Sequence, residues 1–109
     1  MGTLFNLPMR WRKGRKTTFS KSELGQLMSL YGEHVSRGEW RDYALDTLPG
    51  SAIFSVFRDS RDTPLFTVTK INGATPKQST QFIVHDGEKT LKQSPSLLEA
   101  LQTIRDNKP

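Results

Sequence analysis

The chain contains no cysteine. A disulfide framework, a thiolate metal site and a cysteine nucleophile are therefore excluded. Its two histidines, His34 and His85, stand far apart in the sequence and are not spaced with carboxylates as metal ligands are. We therefore predict no metal site and no cofactor, and we interpret both histidines as surface or turn residues.

Long apolar runs are also missing. No stretch approaches the roughly 20 apolar residues that span a bilayer. The first nine residues are too short and too interrupted for a signal peptide, and their charges follow the apolar part instead of preceding it. The sequence therefore predicts a cytoplasmic protein without a membrane span.

Motifs of catalysis and of nucleotide binding are absent as well. The glycines do not have the spacing of a phosphate-binding loop. Nothing in the spacing of Ser55, His85, Asp86 and Glu88 indicates a nucleophile with its base. We predict no catalytic residues, and an enzyme is the third of three functional hypotheses.

Positive charge is what the chain has in excess, and it is concentrated in one segment. Sixteen Lys or Arg face 11 Asp or Glu, which gives a net charge of +5. Five of the basic residues surround Trp11 within seven positions: Arg10, Arg12, Lys13, Arg15 and Lys16. Outside this segment the two signs balance. A local cluster of cations attracts polyanions, whereas a balanced body does not.

The first predicted helix follows that segment. Ser20 and Glu23 have the spacing of a capping box, and Gly38 is typical of a helix end. Between them an apolar face follows the three-four spacing of a helix, made of Leu24, Leu27, Met28, Tyr31 and Val35. We predict a helix over about 21–37, and we interpret residues 38–50 as a connector with a helical turn.

Four strands and a second helix are predicted beyond the connector. Short runs rich in β-branched and aromatic residues predict strands over 52–57, 65–71 and 80–85, and the Asp86-Gly87 turn predicts a fourth over 88–92. Pro95 suits the first position of the last helix. The fold class is α+β: helix, four-stranded antiparallel meander and helix, with the helices on one face of the sheet. Residues 1–17 are predicted to be a flexible basic N-terminal arm and residues 18–106 a single domain.

The middle of the chain carries a recognisable pattern. It consists of the run Gly38-Glu39-Trp40-Arg41-Asp42-Tyr43-Ala44, followed by residues 52–58 and 64–66. From about Phe19 to Ile104 the chain resembles a family of small uncharacterised alphaproteobacterial proteins, a domain of unknown function. It departs from the family pattern at 72–79 and 93–95. The resemblance implies a bacterial cytoplasmic setting and a single domain, and it implies no particular activity.

The leading functional hypothesis concerns the arm. It describes a small cytoplasmic accessory protein that binds RNA, DNA or a ribonucleoprotein. The five cations would contact phosphates and Trp11 would stack on an unpaired base. The alternatives are a solvated tail that touches nothing specific, or an arm that meets an anionic membrane or an acidic protein.

The competing hypothesis is a protein-interaction or homodimerisation module without nucleic-acid binding. It would present a sheet edge or the residues Trp40, Arg41 and Tyr43, types that are enriched at binding hot spots. In the alternative interpretation, Trp40 and Tyr43 pack inward against the sheet and Arg41 pairs with Asp42 or Asp46.

Overall fold

The computed structural model describes residues 17–59, 63–73 and 79–107. They form two helices and a five-stranded antiparallel sheet whose strand order follows the chain. The elements are α1 (Lys21–Ser36), β1 (Asp42–Leu48), β2 (Ser51–Phe57), β3 (Phe66–Ile71), β4 (Gln81–His85), β5 (Thr90–Ser94) and α2 (Leu97–Asp106). The cationic segment 10–16 lies outside the described residues.

The α+β class is confirmed, but the prediction of four strands was wrong. Residues 42–48, interpreted as part of a connector, form β1 and pair with β2 along their whole length. Pro49 and Gly50 make a two-residue turn that places Leu48 opposite Ser51. Gly50 has a φ of +81°, a conformation that side chains with a Cβ rarely adopt. The turn therefore folds β1 directly back along β2.

One apolar row crosses the centre of the sheet. Phe54 lies opposite Val68, and Val68 lies opposite Val84. All three side chains are buried, and the burial of each contributes about 1.5–3 kcal/mol to the free energy of folding. Because side chains alternate between the two faces of a strand, this row defines the inner face of the sheet.

Both helices pack on the inner face. They bury seven side chains there: Leu27, Leu30 and His34 from α1, and Leu97, Ala100, Leu101 and Ile104 from α2. The helices also meet each other, because Arg105 donates to both carboxylate oxygens of Glu33 at 3.2 and 3.0 Å. These hydrogen bonds hold the pKa of Glu33 below its ordinary value.

Both helix starts are capped by serine. In α1 the predicted capping box is confirmed, since the Glu23 N–H donates to Ser20 Oγ and the Ser20 N–H donates to Glu23 Oε1. The second helix begins at Leu97, later than Pro95, with Ser96 as its N-cap. The reason is that β5 continues through Ser94, whose Oγ accepts from the Ser96 N–H.

The chain that enters α1 is tied to the sheet by Lys70. This side chain lies on the inner face of β3, is only 12% exposed, and donates to Glu23 Oε1 at 2.8 Å and to the Thr18 carbonyl at 2.9 Å. Thr17 is also buried, and its backbone N–H donates to the Leu48 carbonyl. Burial opposes the ionisation of Glu23, but the hydrogen bonds from Lys70 and Ser20 outweigh it and lower the pKa of Glu23.

We expect Lys70→Met to lower the free energy of unfolding by about 2 kcal/mol, because Glu23 and the Thr18 carbonyl lose their shared donor. Lys92→Met is the matched control. Its pair with Glu99 is exposed and 4.0 Å long, so its loss should change stability by less than about 0.5 kcal/mol. Urea unfolding at neutral pH measures the stability of both variants. Equal losses of stability would contradict the role of Lys70 in holding Glu23 and the Thr18 carbonyl.

The same pair predicts a pH dependence. The folded-state pKa of Glu23 is below its ordinary value of 4.5, so the stabilisation is fully present above pH 4.5 and is lost as the pH falls through the lower, folded-state value. The difference in stability between the native chain and Lys70→Met should therefore shrink under acid conditions, as urea unfolding over a pH series would show. A difference that grows with acid would refute this interpretation.

Candidate functional site

The end of α1 turns the chain back beneath the helix. Gly38 has a φ of +74° and donates its N–H to the Val35 carbonyl, while the Glu39 N–H donates to the His34 carbonyl. A residue with a Cβ would be strained at this position. The reversal places Trp40 directly against the last turn of α1.

Trp40 and His34 form a stacked pair. Their ring centroids are 3.9 Å apart and their planes differ by 11°. The Nδ1 of His34 donates to the Leu30 carbonyl at 2.9 Å, and its Nε2 lies 3.7 Å from Glu39 Oε1. The prediction of a surface or turn histidine was therefore wrong for His34, which Trp40 shields from water.

A cleft of about 250 Å³ opens beside this pair, between the ends of both helices and the loops that follow β2 and β4. Aromatic and apolar side chains meet charged ones in its lining, which includes Trp40, Phe66, Ile104, Glu39, Arg58 and Asp86. The backbone N–H groups of Lys89 and Glu88 donate to Asp86 and hold its pKa below the ordinary value. Carboxylates and a guanidinium line the same cleft, so it favours neither sign of charge strongly.

A second feature is the edge of the sheet at β1. Tyr43 and Leu45 lie on the inner face, where Leu45 is opposite Phe54, yet they are 39% and 43% exposed. The Tyr31 ring of α1 meets Tyr43 edge-on at 4.9 Å, and Val35, one turn further along α1, is 41% exposed. We call Tyr31, Val35, Tyr43 and Leu45 the β1 patch.

The β1 patch combines apolar surface with the hydroxyls of Tyr31 and Tyr43. Burial raises the pKa of Tyr31, and the nearby Asp42 carboxylate adds to this effect. The hydroxyl of Tyr31 therefore stays neutral at physiological pH. A neutral aromatic beside exposed aliphatic side chains is the composition expected of an interaction surface.

The three residues predicted to bind a partner differ in their burial. Trp40 is 3% exposed and belongs to the core, whereas Arg41 and Tyr43 are exposed. Leu45, the central residue of the edge strand, was missed by the sequence interpretation. The alternation of Tyr43, Leu45 and Thr47 ahead of the Pro49-Gly50 turn is the signal that identifies it.

The described part of the chain offers no group of three or more His, Asp or Glu side chains that could hold a metal ion. Neither of its helices is long and apolar enough to cross a membrane.

These features define a small α+β domain with an apolar sheet edge and a mixed cleft. A family model described as "Protein of unknown function (DUF2794)" matches residues 17–101, and the chain belongs to this family. No curated protein and no solved structure matches the chain. The family match begins at Thr17, after the cationic segment, so the segment lies outside what the family model covers.

The different burial of Trp40 and Tyr43 predicts different costs of truncation. We expect Trp40→Ala to lower the free energy of unfolding by about 3–5 kcal/mol, because it leaves a cavity under α1. Tyr43→Ala should cost about 1 kcal/mol, since its ring is already partly in water. Urea unfolding compares the two variants. A larger loss from Tyr43→Ala would contradict the placement of Trp40 in the core.

Proposed function

We propose that this protein is an interaction module that docks a protein partner on the β1 patch and has no catalytic role. The observation that carries the proposal is the exposed apolar surface of Val35, Tyr43 and Leu45, next to the half-buried Tyr31, at a seven-residue edge strand. An edge strand offers main-chain N–H and C=O groups to an incoming strand, and neighbouring apolar side chains supply specificity.

The two edges of the sheet differ in ways that favour β1. The other edge strand, β5, has five residues, carries Lys92, and pairs with β4 through an irregularity between Val84 and His85. Short length, lysine and bulges all hinder the pairing of an edge with another strand. In contrast, β1 has seven residues in an unbroken register and contains no lysine or proline.

The patch revises the earlier hypothesis about partner binding. That hypothesis named Trp40, Arg41 and Tyr43. Because the Trp40 ring is in the core, the proposed surface keeps Tyr43, adds Leu45 and the α1 side chains, and has Arg41 at its end. Trp40 supports the surface from below instead of touching the partner.

A photo-reactive side chain at position 45 tests the proposal in cells that make the protein naturally. We expect illumination to give covalent adducts of discrete mass with the full-length chain. The matched control is position 98 on α2, where Leu98 is 66% exposed but lies on the other helix. If position 45 gives no more adduct than position 98, the proposal fails.

We propose nucleic-acid binding by the arm as a second candidate function. The observation that favours it is the location of the excess charge. The described residues carry eight Lys or Arg against ten Asp or Glu, so the described domain is slightly acidic. The net charge of +5 therefore comes from residues outside it, above all from Arg10, Arg12, Lys13, Arg15 and Lys16.

A salt titration of binding tests this candidate. We expect generic RNA and DNA to bind the full-length chain with an affinity that falls steeply with NaCl, with a logarithmic slope of up to about −4.5 on duplex DNA if all five cations contact phosphates. Replacing those five by Gln should abolish the binding. The matched control replaces five exposed cations of the domain: Lys21, Arg37, Arg41, Lys89 and Lys92. Equal losses from both sets would overturn the arm's role, as would no salt-dependent binding at all.

The setting in which the protein acts stays a prediction. We propose a cytoplasmic accessory role in an alphaproteobacterium, on the basis of the sequence resemblance and the Gly38-Glu39-Trp40-Arg41-Asp42-Tyr43-Ala44 run. Membership of the family supports a shared domain over residues 17–101.

A further inference from the structure

We infer that the partner on the β1 patch is a second copy of this chain, paired antiparallel through β1 with Leu45 opposite Leu45 of the copy. The inference rests on the proposed function and names its partner. The length of β1, the order of its charged residues and the geometry of antiparallel pairing make this strand complementary to a second copy of itself.

Geometry limits how two copies can pair. Two identical edge strands that pair antiparallel are related by a twofold axis normal to the sheet, as in any isologous interface. This axis keeps the helices of both copies on the same side. One residue of β1 must then lie opposite itself, and the choice of this residue sets the whole register.

The length of β1 favours Leu45 as the central residue. The strand runs from Asp42 to Leu48, so Leu45 is its midpoint and all seven residues find partners only in this register. A centre at Ala44 leaves five residues paired, and a centre at Tyr43 leaves three. Main-chain pairing is therefore longest around Leu45, and forming it requires the Tyr43 N–H to leave Asp42 Oδ1, to which it donates at 2.8 Å.

The charges on β1 favour the same register. A centre at Ala44 puts Asp42 opposite Asp46 of the copy, twice, and a centre at Asp46 puts that residue opposite itself. Like charges directly opposite each other are destabilising. With Leu45 at the centre, Asp42 lies opposite Leu48 and Asp46 opposite Ala44, so neither carboxylate directly faces another.

The side chains of the β1 patch complete the interface. In the Leu45 register, Tyr43 lies opposite Thr47 of the copy on the inner face, and the two Leu45 side chains meet on the axis. Tyr31 and Val35 stand on the same side of the sheet, on the flank of α1 that adjoins β1. Each copy therefore brings apolar surface toward the axis from both a strand and a helix.

The absence of cysteine makes the register directly testable. Residues directly opposite in an antiparallel pair have Cα atoms about 4.5–5.5 Å apart, within the range of about 4.4–6.8 Å that a disulfide spans. Under mild oxidation, full-length Leu45→Cys should form a disulfide-linked dimer. Ala44→Cys and Tyr43→Cys test the registers centred on those residues and should form far less disulfide-linked dimer. Leu98→Cys, at an exposed position on α2, measures how much disulfide-linked dimer forms by random collision.

Sedimentation of the native chain gives the independent measurement. We expect a concentration-dependent dimer whose dissociation constant rises about 100-fold or more in Leu45→Arg, because two guanidinium groups would then face each other on the axis. The control Leu98→Arg should leave the dimer unchanged. Circular dichroism checks that both variants are folded.

The outcomes separate the inference from the proposed function. A native chain that stays monomeric while Leu45→Cys fails to link overturns the inference. If position 45 still captures a different protein under illumination, the proposed function survives that failure. Linking at 44 or 43 in preference to 45 would overturn the register.

Discussion

The row of Phe54, Val68 and Val84 holds the described structure together. It crosses the three inner strands on the face that both helices cover, and its side chains are almost completely buried. A slip of one residue between these strands would turn part of the row to the opposite face and expose it. The positions of α1 and α2 therefore depend on the register of β2, β3 and β4.

Trp40 extends this core past the end of α1. The left-handed turn at Gly38 directs the chain back, so that the indole stacks on His34 and also meets Phe66 from β3. One ring thus joins the helix to the sheet. The cleft exists beside Trp40 because the loops after β2 and β4 meet the helix ends around it. A residue type that often marks a binding site here serves mainly to pack the core.

The side chains of the edge strand β1 are less buried than those of the inner strands. Side chains of inner strands have neighbours on both sides, whereas among the described strands β1 pairs with β2 alone. Tyr43 and Leu45 therefore lie on the inner face and still remain partly in water. This position gives the domain an apolar surface that a partner can cover, while most of the chain's excess positive charge lies in a separate segment. Interaction by the domain and interaction by the arm are consequently independent proposals.

Signals between residues close in the sequence predicted much of the fold. The capping box at Ser20 and Glu23, the turn at Asp86-Gly87 and the alternating apolar runs indicated α1, four of the five strands and the α+β class. These features depend on hydrogen bonds and side-chain directions within a few residues. The Pro49-Gly50 turn was as evident in the sequence as the Asp86-Gly87 turn. It was interpreted as the end of a connector, and β1 was missed for that reason.

Which side chains form the candidate site depends on contacts between residues that are far apart in the sequence. Trp40 and Tyr43 are three positions apart and equally aromatic, yet one is buried and the other is not. The difference arises because Gly38 turns Trp40 under α1, while pairing with β2 holds Tyr43 at the edge of the sheet. The sequence by itself determined which segments form helices and most of the strands, through local geometry. Only the tertiary structure decided which apolar side chains are left in water, because burial is set by neighbours that the chain brings together from far apart.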